Sequence, residues 1–185
     1  MDIARFTSPY RSRLIKKVYA NWLKKDEKVL DIGCGNGLIS LYLMNNLSVK
    51  IVGCDVNNYL SVPVRFVQIP DSYKLPLEKN SFDASMLNDV LHHIKKPQQI
   101  ELIKEALRVS SRVLVFEAKP TFLAKVFDII LNKLHYGDLK VPLSFRDRQE
   151  WEELCNSLSV KFEIIELKRP FWYPFSHIAL LLKRS

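Results

Sequence analysis

The stretch VLDIGCGNG, residues 29–37, sets a short apolar strand against a glycine-rich turn. Val29, Leu30 and Ile32 are strand formers around a single acid, Asp31, and Gly33, Gly35 and Gly37 follow at alternate positions. Glycine reaches positive φ and carries no Cβ, so such a run turns sharply and lets a small molecule lie against the main chain. The apolar run from Leu38 to Met44 then reads as a helix. Its first N–H groups and positive dipole end would face whatever the turn holds.

The spacing narrows the ligand. A dinucleotide-binding turn reads G-x-G-x-x-G and seats a pyrophosphate on the helix N-terminus. Here the third glycine comes one residue early, and Asp31 places a negative charge where a pyrophosphate would be repelled. An acid at that point suits a ligand that carries an ammonium group. Further markers follow in order: Val49–Cys54 ends in Asp55, and Val64–Ile69 is followed by Asp71. Leu75-Pro76-Leu77, Phe82-Asp83 and Leu91-His92-His93-Ile94 come next.

Taken together, these segments resemble the class I S-adenosylmethionine-dependent methyltransferases over residues 29–118, about half of the chain. The resemblance implies an α/β fold, a doubly wound, mostly parallel seven-stranded sheet of order 3-2-1-4-5-7-6 with an antiparallel seventh strand. It implies S-adenosyl-L-methionine as cofactor, cradled by Asp31, Gly33, Cys34, Gly35 and Gly37. Asp55 and Val56 would hold the ribose, Asp71 and Ser72 would stand beside the adenine, and Asn88 would close the pocket at the end of the fourth strand. Loops at the carboxyl ends of parallel strands converge on the switch point of such a sheet, which independently brings Gly33, Asp55, Asp71 and Asn88 together. Methyl transfer needs alignment more than a strong protein nucleophile, but an oxygen or carbon acceptor calls for a base. Asp89, His92 and His93 are the candidates, with His92 the choice.

At 185 residues the chain is expected to form one domain spanning 1–185, with a basic helix at about 9–24 and an inserted helical segment at about 119–143. No apolar stretch approaches a membrane span or a secretory leader, giving the expectation of a cytoplasmic protein. Three widely spaced cysteines, Cys34, Cys54 and Cys155, fit neither a disulfide framework nor a metal-ligand pattern. Cys34 is read as a small side chain whose backbone N–H faces the ligand, at a helix N-terminus where a thiol pKa can fall. The net charge of +8 is concentrated early, with seven cations against Asp2 alone in residues 1–25. Ser8-Pro9 reads as the cap and first turn of the basic helix, whose Leu14, Ile15, Val18, Tyr19, Trp22 and Leu23 form an apolar stripe.

Alternating patterns place strands near 28–33, 49–54, 64–69, 83–88, 112–118, 160–168 and 176–183, and helices near 37–46, 97–109 and 146–158. Ser144 with Asp147 resembles a capping box for the last helix. Only eight residues, Val56 to Pro63, lead from Asp55 toward the third strand, so the usual crossover helix is reduced to a turn. Two segments bear on the acceptor. The broad apolar face of Phe122, Leu123, Val126, Phe127, Ile130, Leu131 and Leu134 reads as core, or else as a lid or a lipid-facing surface. The run Pro170-Phe171-Trp172-Tyr173-Pro174-Phe175 lies between the last two strands, near the methyl-accepting side of such a fold. The expectation is a small-molecule methyltransferase with a hydrophobic or lipid-like acceptor. The alternatives are RNA, attracted by the basic helix, and a noncatalytic cofactor-binding protein; peripheral membrane contact fits the charge.

Overall fold

The structure is a computed structural model and describes residues 4–70, 73–122, 124–126 and 142–184. Seven strands form one sheet: β1 (Lys28–Ile32), β2 (Lys50–Asp55), β3 (Arg65–Gln68), β4 (Ala84–Asn88), β5 (Arg112–Ala118), β6 (Lys161–Leu167) and β7 (His177–Lys183). Their order is β3-β2-β1-β4-β5-β7-β6. The first five pair in parallel and β7 runs antiparallel to both β5 and β6. This is the expected architecture, with strand ends displaced by a residue or two.

Strand alternation divides the core into two layers. Leu30, Ile32, Leu87, Val113, Val115, Ile178 and Leu180 face helix α3 (Lys96–Val109) and helix α4 (Arg148–Ser157). Val29, Met86, Leu114, Phe116, Ala179 and Leu181 face helix α1 (Ala4–Tyr19) and helix α2 (Leu38–Leu47). Strands buried on both faces read as apolar runs, which is why β5 and β7, with VLVF and IALLL, stand out in the sequence.

Two helix starts differ from expectation. Helix α1 begins at Ala4 with Pro9 inside it, so Ser8-Pro9 is neither cap nor first turn. Proline early in a helix removes one N–H where few intrahelical bonds have yet formed, so the turn survives it. The same helix stops at Tyr19, whose carbonyl accepts from both Trp22 N (2.9 Å) and Leu23 N (2.8 Å). For α4 the capping box is Asp147 with Glu150, three residues later than the Ser144–Asp147 reading. Glu150 has the longer side chain needed to reach back to the cap N–H. Ser144 instead donates its N–H to the His92 carbonyl at 2.7 Å.

No helix separates β2 from β3. The connecting strand-to-strand segment folds over the glycine turn, where Ser61 N and Oγ both donate to the Asn36 carbonyl (3.0 and 3.2 Å). Of the inserted segment expected at about 119–143, residue 123 and residues 127–141 lie outside the described residues.

Candidate functional site

Register brings the sequence motifs to one end of the sheet. Ile32 pairs with Cys54 and with Leu87, so Gly33, Asp55 and Asn88 continue three adjacent strands at the same level. Gly33, Gly35 and Gly37 have φ of 73°, 52° and 75°. These are left-handed values that glycine adopts without steric cost. At two of the three the missing Cβ serves packing within the protein. A Cβ on Gly33 would meet Val90 Cγ2 at 2.6 Å, and one on Gly37 would meet Leu60 Cδ2 at 2.6 Å. At these two positions the space that sequence reading assigned to a ligand is filled by Val90 and Leu60.

Asp55, the last residue of β2, is held by the turn itself. Its Oδ2 accepts from Gly35 N at 3.0 Å and its Oδ1 from Val56 N at 2.8 Å. The backbone N–H of Asn57 is a third group favouring the charged carboxylate, which keeps acceptor capacity for a ligand hydroxyl. Burial raises its carboxyl above the ordinary range against the hydrogen bonds from Gly35 and Val56. Val56 itself is exposed beside it.

Asp31 is buried below the turn, where Ser40 Oγ donates to Oδ2. Burial pushes its carboxyl up to about 6, although Ser40 and the nearby Asn88 amide favour the charged form. Asn88 is 8 % exposed, accepts from Tyr19 Oη at 2.8 Å, and leaves Nδ2 without a regular hydrogen bond among the described residues.

Cys34 departs from its expected role. Its N–H donates to the Cys54 carbonyl at 3.1 Å, as does that of Gly33 at 2.8 Å, so the Cys34 N–H is committed to β2 and not to a ligand. Burial, with Asp31 and Asp55 nearby, pushes its thiol well above the ordinary value, opposite to the shift a helix N-terminus alone would give. Asp71 and Ser72 lie outside the described residues.

Beyond β4 the chain makes a strained step. Asp89 has φ 54°, a left-handed conformation that a non-glycine residue holds only when its surroundings fix it. Its Oδ2 pairs with Arg11 Nη1 of α1 at 3.2 Å. Its Oδ1 lies 3.9 Å from His177 Nε2 and has no hydrogen-bond donor among the described residues. His177 is kept neutral, its pKa lowered to about 4 chiefly by burial.

The Leu91–His93 segment is a short 3-10 turn. Of its two histidines His92 is buried and His93 half-buried, and their rings meet edge to face at 4.1 Å.

Glu117, at the end of β5, organises this turn and was not singled out from the sequence. Its Oε1 accepts from Val90 N (2.8 Å) and Leu91 N (2.6 Å), and its Oε2 lies 2.5 Å from His92 Nδ1. Asp89, His92 and Glu117 bring ligating atoms within 4.8 Å of one another. Their charge is already answered by Arg11 and by the two backbone N–H groups on Glu117, so the cluster works as a hydrogen-bond network.

A second unforeseen element is Gln99 of α3. Its Nε2 donates to the carbonyls of Leu91 (2.8 Å), Ile94 (3.2 Å) and Ser144 (2.7 Å), while Oε1 accepts from Arg146 Nε at 2.6 Å. That buried network ties the histidine turn to the segment before α4, where Phe145 stacks on His92 at 4.6 Å. Opposite stand Tyr10 and Tyr173, 4.7 Å apart, and Phe175, 5.6 Å from Tyr173.

The sheet order and the D-x-G-x-G-x-G turn are those of the class I S-adenosylmethionine-dependent methyltransferases, and residues 30–115 match the family described as "Methyltransferase domain". The chain is 34 % identical over 119 residues to the "Probable tRNA methyltransferase 9B" of Bos taurus, covering 58 % of this chain and 26 % of that protein. It is 30 % identical over 131 residues to the "Ubiquinone/menaquinone biosynthesis C-methyltransferase UbiE" of Wigglesworthia glossinidia brevipalpis, covering 60 % of this chain and 52 % of that protein. The chain thus spans about a quarter to a half of the curated relatives it matches. Among solved structures, a "SAM dependent methyltransferase from Archaeoglobus fulgidus" shares the fold with TM-score 0.66 at 16 % identity, each chain covered to 100 %.

The cofactor of this class is S-adenosyl-L-methionine, and the geometry fits it. Asp55 would offer a fixed carboxylate to the sugar, Asp31 an acid to an ammonium, and Asn88, whose amide already favours the Asp31 carboxylate, a buried polar neighbour.

Proposed function

We propose that the protein transfers the methyl group of S-adenosyl-L-methionine to a small apolar or aromatic acceptor. One observation carries the reading. Beyond β4, Asp89 lies 3.9 Å from His177, on which Tyr173 stacks at 5.7 Å, with Tyr10 and Phe175 against Tyr173.

When bound, the cofactor supplies an electrophilic methyl on a positively charged sulfur, so alignment and exclusion of water make up most of the protein's task. In this reading Gly33, Cys34, Gly35 and Gly37 shape the floor of the cofactor site, Asp55 and Val56 take the sugar edge, and Asp31 and Asn88 take the amino-acid end. Asp71 and Ser72 follow β3 and are proposed for the adenine side.

Asp89 Oδ1, buried and lacking a donor among the described residues, receives the proton or N–H of the acceptor. His92, held through Nδ1 by Glu117, backs that carboxylate as the proton-holding partner proposed for it.

The test is methyl transfer from labelled cofactor to a panel of apolar phenols, quinols and amines. Asp89→Asn keeps the shape and removes the base. It is expected to lower kcat about 100-fold with S-adenosylhomocysteine affinity unchanged. His92→Ala is expected to slow turnover less. Full activity in Asp89→Asn would remove Asp89 from the chemistry.

A second reading is favoured by the 34 % identity to a protein named as a tRNA methyltransferase and by the cations of α1. Salt-sensitive RNA binding, with methyl label incorporated into RNA and none into small acceptors, would select it.

A further inference from the structure

The connection between β6 and β7 turns out of the carboxyl end of the sheet and divides its aromatics. Tyr173 points inward and is buried, while Phe171 is 95 % exposed and Trp172 58 % exposed at the tip. Single exposed apolar residues are ordinary, but two adjacent aromatics this exposed at a loop apex are not, even with one edge of Trp172 resting on Tyr10. The tip is braced from below. Arg169 Nη1 donates to the Tyr173 carbonyl at 2.9 Å, and Tyr10 of α1 meets the Trp172 ring edge to face at 4.7 Å.

The surroundings are mainly cationic, with Glu166 the nearby acid and already paired with Lys119. Lys168 and Arg169 immediately precede the tip and are exposed, as is Arg13 on α1 one turn from Tyr10. No acid occurs between Pro9 and Ala20. A third exposed aromatic, Phe122 at 79 %, follows Lys119, whose N–H donates to the Ser176 carbonyl at 2.8 Å. Phe122 therefore emerges from the same end of the sheet, with exposed Lys125 close behind it in sequence. Aromatic side chains ringed by lysine and arginine match the interface of an anionic bilayer, where rings settle at headgroup depth and cations meet lipid phosphate.

We propose that Phe171 and Trp172, with Lys168, Arg169, Arg13 and Phe122 around them, seat the protein on an anionic lipid surface with the carboxyl end of the sheet toward the bilayer. This goes beyond the proposed methyl transfer and does not depend on it.

The protein offers its own reporter. Of its three tryptophans, Trp22 and Trp151 are buried and Trp172 is exposed. The full chain is titrated with vesicles of phosphatidylcholine alone and of phosphatidylcholine with phosphatidylglycerol, and followed by cosedimentation and tryptophan emission. Binding is expected only to the anionic vesicles, with a blue shift of emission and a loss of at least tenfold in affinity as salt is raised. The double substitution Phe171→Ser, Trp172→Ser is expected to weaken binding at least tenfold and abolish the blue shift. Its thermal stabilisation by S-adenosylhomocysteine is expected to be unchanged, which shows that the fold is intact. Absence of vesicle binding by the full chain, or equal binding by the double variant, overturns the proposal. So does retention of RNA in preference to anionic vesicles with the same dependence on Phe171 and Trp172.

Discussion

At the carboxyl end of the sheet, the β1–β2 side and the β5–β7 side are built by different means. Around β1, β2 and β4 the candidate groups come from close positions, Asp31 to Asp55, and much of their arrangement is backbone: positive φ at three glycines and carbonyls shared across strands. Around β5 and β7 they come from Tyr10, Asp89, His92, Glu117, Phe145 and Tyr173, joined through buried side chains. A backbone device tolerates few residue types and so leaves a dense local motif. A side-chain network can be assembled from any part of the chain. The two sides should therefore fail separately when changed.

The largest effect is expected at Gly33. Alanine there must hold φ near 73° and meet Val90 at 2.6 Å, which together cost about 3 to 4 kcal/mol. Denaturant unfolding measures the loss, and calorimetry should show cofactor affinity falling with it. A Gly33→Ala protein of unchanged stability would mean that the turn is looser than its geometry.

On the other side, Gln99→Leu leaves Arg146 Nε and three buried carbonyls short of partners. It is expected to cost about 3 kcal/mol while S-adenosylhomocysteine affinity stays within twofold. Loss of cofactor binding in that variant, with the fold retained, would break the separation between the two sides.

Asp31 sharpens the comparison by setting stability against function. Its carboxyl stands at about 6 in the folded protein against 3.8 as the ordinary value. Ionisation therefore disfavours the folded state, a penalty complete above about pH 6 and absent below about pH 3.8. Asp31→Asn is expected to raise stability at pH 7.5 by on the order of 2 kcal/mol and to weaken cofactor binding. Below pH 6 the stability difference should shrink. A destabilised Asp31→Asn protein at pH 7.5 would assign the acid a structural role.

How much the sequence disclosed follows from the same division. The strands and the level shared by Gly33, Asp55 and Asn88 were legible, since parallel buried strands and their terminal loops leave apolar runs ending in glycine or acid, while the order of the strands followed only from the family resemblance of those motifs. The contents of the glycine turn were not. Gly33 and Gly37 admit Val90 and Leu60, and Cys34 turns its N–H to Cys54, contacts that depend on register and not on local pattern.

Glu117 was legible only as one polar residue inside the otherwise apolar strand VLVFEA, a signal that a buried charge needs partners. Gln99 left a fainter trace, a polar residue one turn into α3 with nothing local to mark it as buried. Helix α1 was misplaced because proline after serine marks a helix start in most settings, yet here the helix continues through it.

The most direct measurement is calorimetric titration of the purified protein with S-adenosylhomocysteine, beside the Asp55→Ala variant. Saturable one-site binding is expected, weakened by about 2 kcal/mol when the Asp55 carboxylate is removed. No heat of binding, or equal affinity in the two proteins, would contradict it.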